Sequence, residues 1–123
     1  MKGHEDLKVW QKGVDLVVSV YRLTGSFPKS EFYGLTSQMR RAAVSVSSNI
    51  AEGHALKQTQ AYLRHLANAS GSMAEVETQL EIARRLRYLS TEGTEVLQKA
   101  KEVGRMLVGL RRGLGASYLD PKS

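Results

Sequence analysis

From Tyr62 the apolar positions run Tyr62, Leu66, Ala69, Met73, Val76, Leu80 and Ala83. These alternating steps of four and three keep one face of a helix apolar over several turns. The same spacing returns as Val96, Ala100, Val103, Leu107, Leu110 and Leu114, with Ser90 and Thr91 as N-cap candidates and Glu92 and Glu95 in the first turns, where carboxylates favour the positive helix end. Leu35, Met39, Ala42, Val46, Ile50 and Gly53 make a third such stripe, starting between Ser30 and Thr36 and with Gly53 placed to stop the helix.

The remaining helix, about Glu5 to Leu23, ends near Gly25 and Pro28 and is apolar on two sides. Leu7, Trp10, Val14, Val17, Val18 and Tyr21 form one stripe; Val9, Leu16, Val20 and Leu23 lie opposite. One bundle core buries one stripe, so a second neighbour is needed. Two arrangements supply it: another subunit covering Val9, Leu16, Val20 and Leu23, or an edge position wedged between two helices of the same chain. Because four large exposed apolar residues are a liability for a monomer, self-association is the expectation.

Short connections near residues 24 to 34, 54 to 60 and 88 to 92 favour antiparallel neighbours. The fold class expected is therefore all-α, an antiparallel up-down-up-down four-helix bundle over residues 1–115. After Gly115 the segment Ala116 to Ser123 loses periodicity and is expected to fray.

The stretch SVSSNIAEGH, Ser45 to His54, carries the residue types of a hydrolase. Helical geometry separates them. Gln38, Arg41, Ser45, Asn49 and Glu52 line up as one polar stripe, Ser47 points elsewhere, and no helical i, i+4 relation joins His54 to Ser48. Serine hydrolases need a nucleophile on a strained turn or against a positioned histidine, so no catalytic residue is assigned. The stripe is expected to be a structural polar network reaching other helices or another subunit; the alternative is a solvated face. Small residues at 42, 43, 45, 47, 48 and 51 are matched by Ala67, Ala69, Ser70, Gly71, Ser72 and Ala74, so the second and third helices should touch there. Gly71 costs on the order of 1 kcal/mol inside a helix, which a tight crossing would offset.

Composition narrows the function classes. The 123 residues suit one domain, and 41% hydrophobic with 24% charged residues is globular rather than disordered. Without cysteine there is no disulfide or thiolate chemistry. No run approaches the ~20 apolar residues of a membrane span, and the opening MKGHEDLKVW lacks a signal-peptide core; a cytoplasmic location and no membrane partner are expected. Nothing in His4, His54 and His65 has metal-ligand spacing, and no phosphate-binding glycine loop occurs. No metal or other cofactor is expected.

Charge changes the picture most. The net charge is +6, and residues 84–123 hold nine Lys or Arg against four acids. Such a basic end fits a polyanion, whose counterions Lys and Arg displace; a basic, soluble surface without a partner is the alternative. Arg84, Arg85 and Arg87 crowd the end of the third helix, and Lys101, Arg105, Arg111 and Arg112 lie on the fourth. With no base-reading motif and no aromatic stacking platform visible, binding should be driven by shape and charge.

These pieces together resemble a known family. DLKVWQKGVDL (Asp6 to Leu16), FPKSEFYGLTSQMRRAAVSVSSNIAEG (Phe27 to Gly53) and GSMAEVETQLEIARRLRYL (Gly71 to Leu89) are similar to the four-helix-bundle proteins encoded in intervening sequences of bacterial 23S ribosomal RNA genes. The resemblance implies an antiparallel bundle assembling as a homopentameric ring, kinship with the accessory proteins of diversity-generating retroelements, and no catalytic residues. The resulting expectation is a non-enzymatic, ring-forming binder of RNA or DNA. The competing reading is an adaptor whose ring recruits a protein such as a reverse transcriptase. A third reading, an enzyme using Arg41, Asn49 and Glu52, requires those residues to line an accessible cleft.

Overall fold

The computed structural model describes the backbone of residues 3–119 and the side chains of residues 3–115. Four helices carry the fold: α1 Lys8–Thr24, α2 Leu35–Ala55, α3 Thr59–Arg85 and α4 Glu92–Leu119. Single 3-10 turns at His4–Asp6 and Lys29–Glu31 precede α1 and α2, and no strand occurs among the described residues. The helices form a bundle in which each packs against its two neighbours in the cycle α1, α2, α3, α4 around one shared core.

The core follows the apolar spacing. Met39, Val46 and Ile50 of α2, Leu66, Met73, Val76 and Leu80 of α3, and Val103 and Leu107 of α4 are all essentially excluded from solvent. Burying one such side chain contributes roughly 1.5–3 kcal/mol, so these stripes account for the association of the helices. On α1 the two stripes do not take the roles expected of them. Val9, Leu16, Val20 and Leu23, none more than 5% exposed, are buried in this chain's own core, and cannot be the surface offered to another subunit. The other stripe divides: Val18 and Tyr21 are exposed, while Leu7, Trp10 and Val17 are half-buried against the edge of the core. Val9, Leu16, Val20 and Leu23 span a narrow arc on the side of α1 that meets α2 and α4, and Trp10 and Val17 flank that arc against the core.

The ends of the helices also differ from expectation. Gly53 does not stop α2. It is buried within the helix, which runs on to Ala55 and ends where Lys57 adopts a left-handed conformation (φ 54°). Arg87 (φ 63°) does the same after α3, where the Tyr88 N–H reaches the Ala83 carbonyl at 2.9 Å and the Arg87 N–H reaches that of Arg84, a Schellman closure made without glycine. The N-terminus of α2 is capped from the preceding turn: Glu31 Oε1 accepts from the Leu35 N–H (3.1 Å), while Oε2 accepts from the Tyr88 hydroxyl (2.9 Å). That carboxylate holds the Tyr88 phenol above its ordinary pKa, with burial adding to the effect. Helix α4 continues to Leu119, past Gly115 where the apolar spacing ends; the rest of the segment expected to fray, residues 120–123, lies outside the described residues.

No helix of the described residues is long and apolar enough to cross a membrane.

Candidate nucleic-acid interface

Helices α2 and α3 make the most extensive contact in the bundle, as expected, but only some of the small residues named for the crossing take part: Ala67, Gly71 and Ala74 are exposed, and Ser70 bonds Arg111 of α4. Ala42, Ala43 and Ala69 are buried, and the Ser72 hydroxyl donates to Ser45 Oγ at 2.9 Å. Asn49 Nδ2 donates to the Ser45 carbonyl (2.9 Å) and to Ser45 Oγ (3.1 Å), and Asn49 Oδ1 lies 3.0 Å from His65 Nδ1. Because the amide nitrogen is already the donor, the imidazole must donate through Nδ1–H. Ser45 and Asn49 thus join Ser72 and His65 in one part-buried hydrogen-bond network between α2 and α3.

Gln38, Arg41 and Glu52 are not in it. All three are exposed, and none of their side chains makes a hydrogen bond or ion pair among the described residues. The polar stripe therefore divides at the helix surface: its part-buried members, Ser45 and Asn49, turn toward α3, and the long side chains stay in water. His65, a member of the network, carried no sequence signal beyond its residue type, because its partner lies on another helix.

Gly71 does not mediate the crossing; nothing lies within 4 Å of where its Cβ would be. The close approach is at Gly53 instead, where a Cβ would lie 2.7 Å from His65 Cβ and 2.9 Å from Tyr62 Cδ1.

The basic residues fall into two groups. Arg84 and Arg85 both bind Glu81: Arg84 Nη2 reaches Oε2 at 2.7 Å and Arg85 Nε reaches it at 2.9 Å. These two hydrogen-bonded guanidiniums, Arg84 foremost, bring the Glu81 carboxyl down to about 2. One carboxylate thus offsets part of this cluster's charge, while Arg87 is exposed beside it. All of these side chains are solvated, so the pairing orders the arginines more than it stabilises the fold.

The second group makes no ion pair among the described residues. Lys101, Arg105, Arg111 and Arg112 line a groove of about 700 Å³ between α3 and α4, with Glu77 as its one carboxylate. Arg111 Nη1 donates to Ser70 Oγ of α3 at 3.2 Å, which fixes one guanidinium across the groove. The floor is apolar, from Met73, Ala74 and Val108, and is left open by Gly104 and Gly109, neither of which has an atom within 4 Å of its missing Cβ. From Glu92 to Arg112 the axis of α4 advances ~30 Å, so Arg112 and the Arg84 cluster stand well apart along α4.

A third cluster was not anticipated in the sequence. Tyr21, Phe32, Tyr33, Arg40, Arg41 and Val44 line an open cleft beside α1 and α2. The Arg40 guanidinium sits 4.5 Å from the Tyr21 ring centroid, and Phe32 and Tyr33 meet edge to face at 4.9 Å. Exposed aromatics thus stand beside cations after all. The signal lay in the non-periodic FYG segment, and only the fold brings it next to Tyr21.

No group of three or more metal-ligating side chains is found among the described residues.

Comparison with known proteins agrees with this architecture. A crystal structure of a protein of unknown function from the S23 ribosomal protein family, from Bacteroides thetaiotaomicron, superposes with a TM-score of 0.75 at 19% identity, covering 84% of this chain and 97% of that one. At that identity the likeness concerns the fold alone. No curated protein matches the chain. The model of the 23S rRNA-intervening sequence protein family matches residues 5–109, which is most of the sequence, and the chain belongs to that family.

Proposed function

We propose that this protein is a non-enzymatic, ring-forming four-helix bundle that binds RNA or DNA through the α3–α4 groove. The observation that carries the reading is the convergence of Lys101, Arg105, Arg111 and Arg112 on one groove with a single opposing carboxylate, Glu77. Such a site neutralises phosphates and releases their counterions whatever the base sequence. The family's description as a 23S rRNA-intervening sequence protein is in keeping with an RNA context.

The helices run antiparallel in up-down-up-down order on this reading. In support, residue numbers run in opposite senses across three of the interfaces. Between α2 and α3, Ser45 meets Ser72 whereas Asn49 meets His65. Between α1 and α4, Lys12 pairs with Glu102, whereas Ser19 Oγ accepts from Lys99 Nζ at 2.8 Å. Between α1 and α2, Gly13 faces Ser47, whereas Thr24 Oγ1 accepts from Arg40.

Ring assembly is supported by the outward side of α1, where Val18, outside the Tyr21–Tyr33 cleft, is an exposed apolar side chain. A ring would repeat the basic groove and turn weak phosphate contacts into avidity. A second reading rests on the apolar floor of Met73, Ala74 and Val108, which also suits a polypeptide helix. On that reading the protein is an adaptor for a partner such as a reverse transcriptase.

The deciding experiment is a titration with structured RNA across salt concentrations. The nucleic-acid reading expects affinity that falls steeply with salt and is reduced by Arg105→Glu with Arg112→Glu. Affinity absent at low salt, or indifferent to that charge reversal, refutes it.

A further inference from the structure

The cleft beside α1 and α2 combines an available cation with two features that the α3–α4 groove lacks. It exposes aromatic side chains: Tyr33 is 91% exposed and Phe32 54%. It has cations and no carboxylate in its lining; the nearby Glu31 is already engaged by Leu35 and Tyr88. One of the cations is available, because Arg40 is tied to Thr24 Oγ1 (2.9 Å) and the Tyr21 ring, whereas the Arg41 side chain makes no hydrogen bond or ion pair among the described residues.

From this we infer that the cleft is a binding site for unpaired nucleotides of a single-stranded nucleic acid, with bases stacked on Tyr33 and Phe32 and a phosphate held by Arg41. Aromatic rings stack on any base, and a neighbouring guanidinium supplies the backbone contact. The cleft holds about 570 Å³, room for a base and its sugar. Charge sets this occupant apart from a second copy of the chain. The α3–α4 groove on the other side of the bundle is also cationic, so seating it on the cleft would oppose Arg40 and Arg41 to Lys101, Arg105, Arg111 and Arg112. The inference rests on the reading of the chain as a nucleic-acid binder but places the contact on a different face, selective for strands with free bases.

The test uses the whole protein and three probes: an oligouridine of about eight nucleotides, a blunt RNA duplex, and poly-glutamate as a polyanion without bases. Binding is followed by fluorescence anisotropy for the wild type, Phe32→Ala with Tyr33→Ala, Tyr33→Trp, and Arg105→Glu with Arg112→Glu. The double alanine variant should bind oligouridine about tenfold more weakly and the duplex unchanged. Tyr33→Trp should keep oligouridine binding, and poly-glutamate should not compete for it. Wild-type affinity of the double alanine variant for oligouridine overturns the proposal. So does competition by poly-glutamate, which identifies an acidic protein segment as the occupant, or a smaller assembly of the alanine variant in light scattering, which identifies a second copy. Loss of duplex binding alone in the groove variant upholds the groove separately, and wild-type protein that binds neither RNA overturns both readings.

Discussion

Gly53 of α2 and His65 of α3 approach so closely that a Cβ on the glycine would lie 2.7 Å from the histidine's own Cβ. An alanine in a helix interior ordinarily gains on the order of 1 kcal/mol over glycine. Here Tyr62 and His65 must move, and overpacking of this kind costs about 1–3 kcal/mol. Gly53→Ala is therefore expected to destabilise the protein, and Gly71→Ala, with open space around it, to stabilise it by about 0.5–1 kcal/mol. Urea denaturation of the two variants checks the sign of each.

The two stripes of α1 should respond oppositely. Leu16→Ala opens a cavity in the core and should cost about 2–5 kcal/mol. Val18→Glu changes an exposed residue and should leave the fold of the subunit within about 0.5 kcal/mol while dissociating the proposed ring. Denaturation combined with light scattering separates the two effects. A folded, dissociated Leu16→Glu protein would return the interface to the buried stripe.

Glu81→Gln should release Arg84 and Arg85 to phosphate. If they then bind RNA, the salt dependence of affinity steepens by about one to two in log–log slope. The pH dependence follows from the lowered carboxyl. Its pairing contributes fully above the ordinary value of 4.5 and is lost as the pH falls toward about 2. Any stability difference between wild type and Glu81→Gln should therefore close over that acidic window, as read by denaturation at a series of pH values.

Glu31 joins the start of α2 to Tyr88. Glu31→Ala removes a helix cap, typically worth about 1 kcal/mol, together with the phenol's acceptor. Tyr88→Phe removes only the phenol's hydrogen bond. Because the Tyr88 pKa is raised from 10.0, its contribution is present below that ordinary value and is lost as the pH rises through the higher folded value. The wild type and Tyr88→Phe should therefore converge in thermal stability in that alkaline range.

The helices were legible from local spacing because each must bury one face, and a period near 3.6 records which residues lie on it. Met39, Val46, Met73, Val76, Val103 and Leu107 all sit on the stripes read from the chain and all are buried. The basic groups could likewise be read along α3 and α4. Local spacing could not choose between the two stripes of α1, since that choice depends on which side of α1 meets α2 and α4. Nor could it show that Gly53 is a point of contact rather than a stop, because the atoms that require a glycine there belong to Tyr62 and His65. The Ser45–Asn49–Ser72–His65 network and the Tyr21–Phe32–Tyr33 cleft are assembled from separate segments in the same way. Periodicity reports what a residue needs from its surroundings, and only packing in three dimensions supplies the neighbour that meets the need.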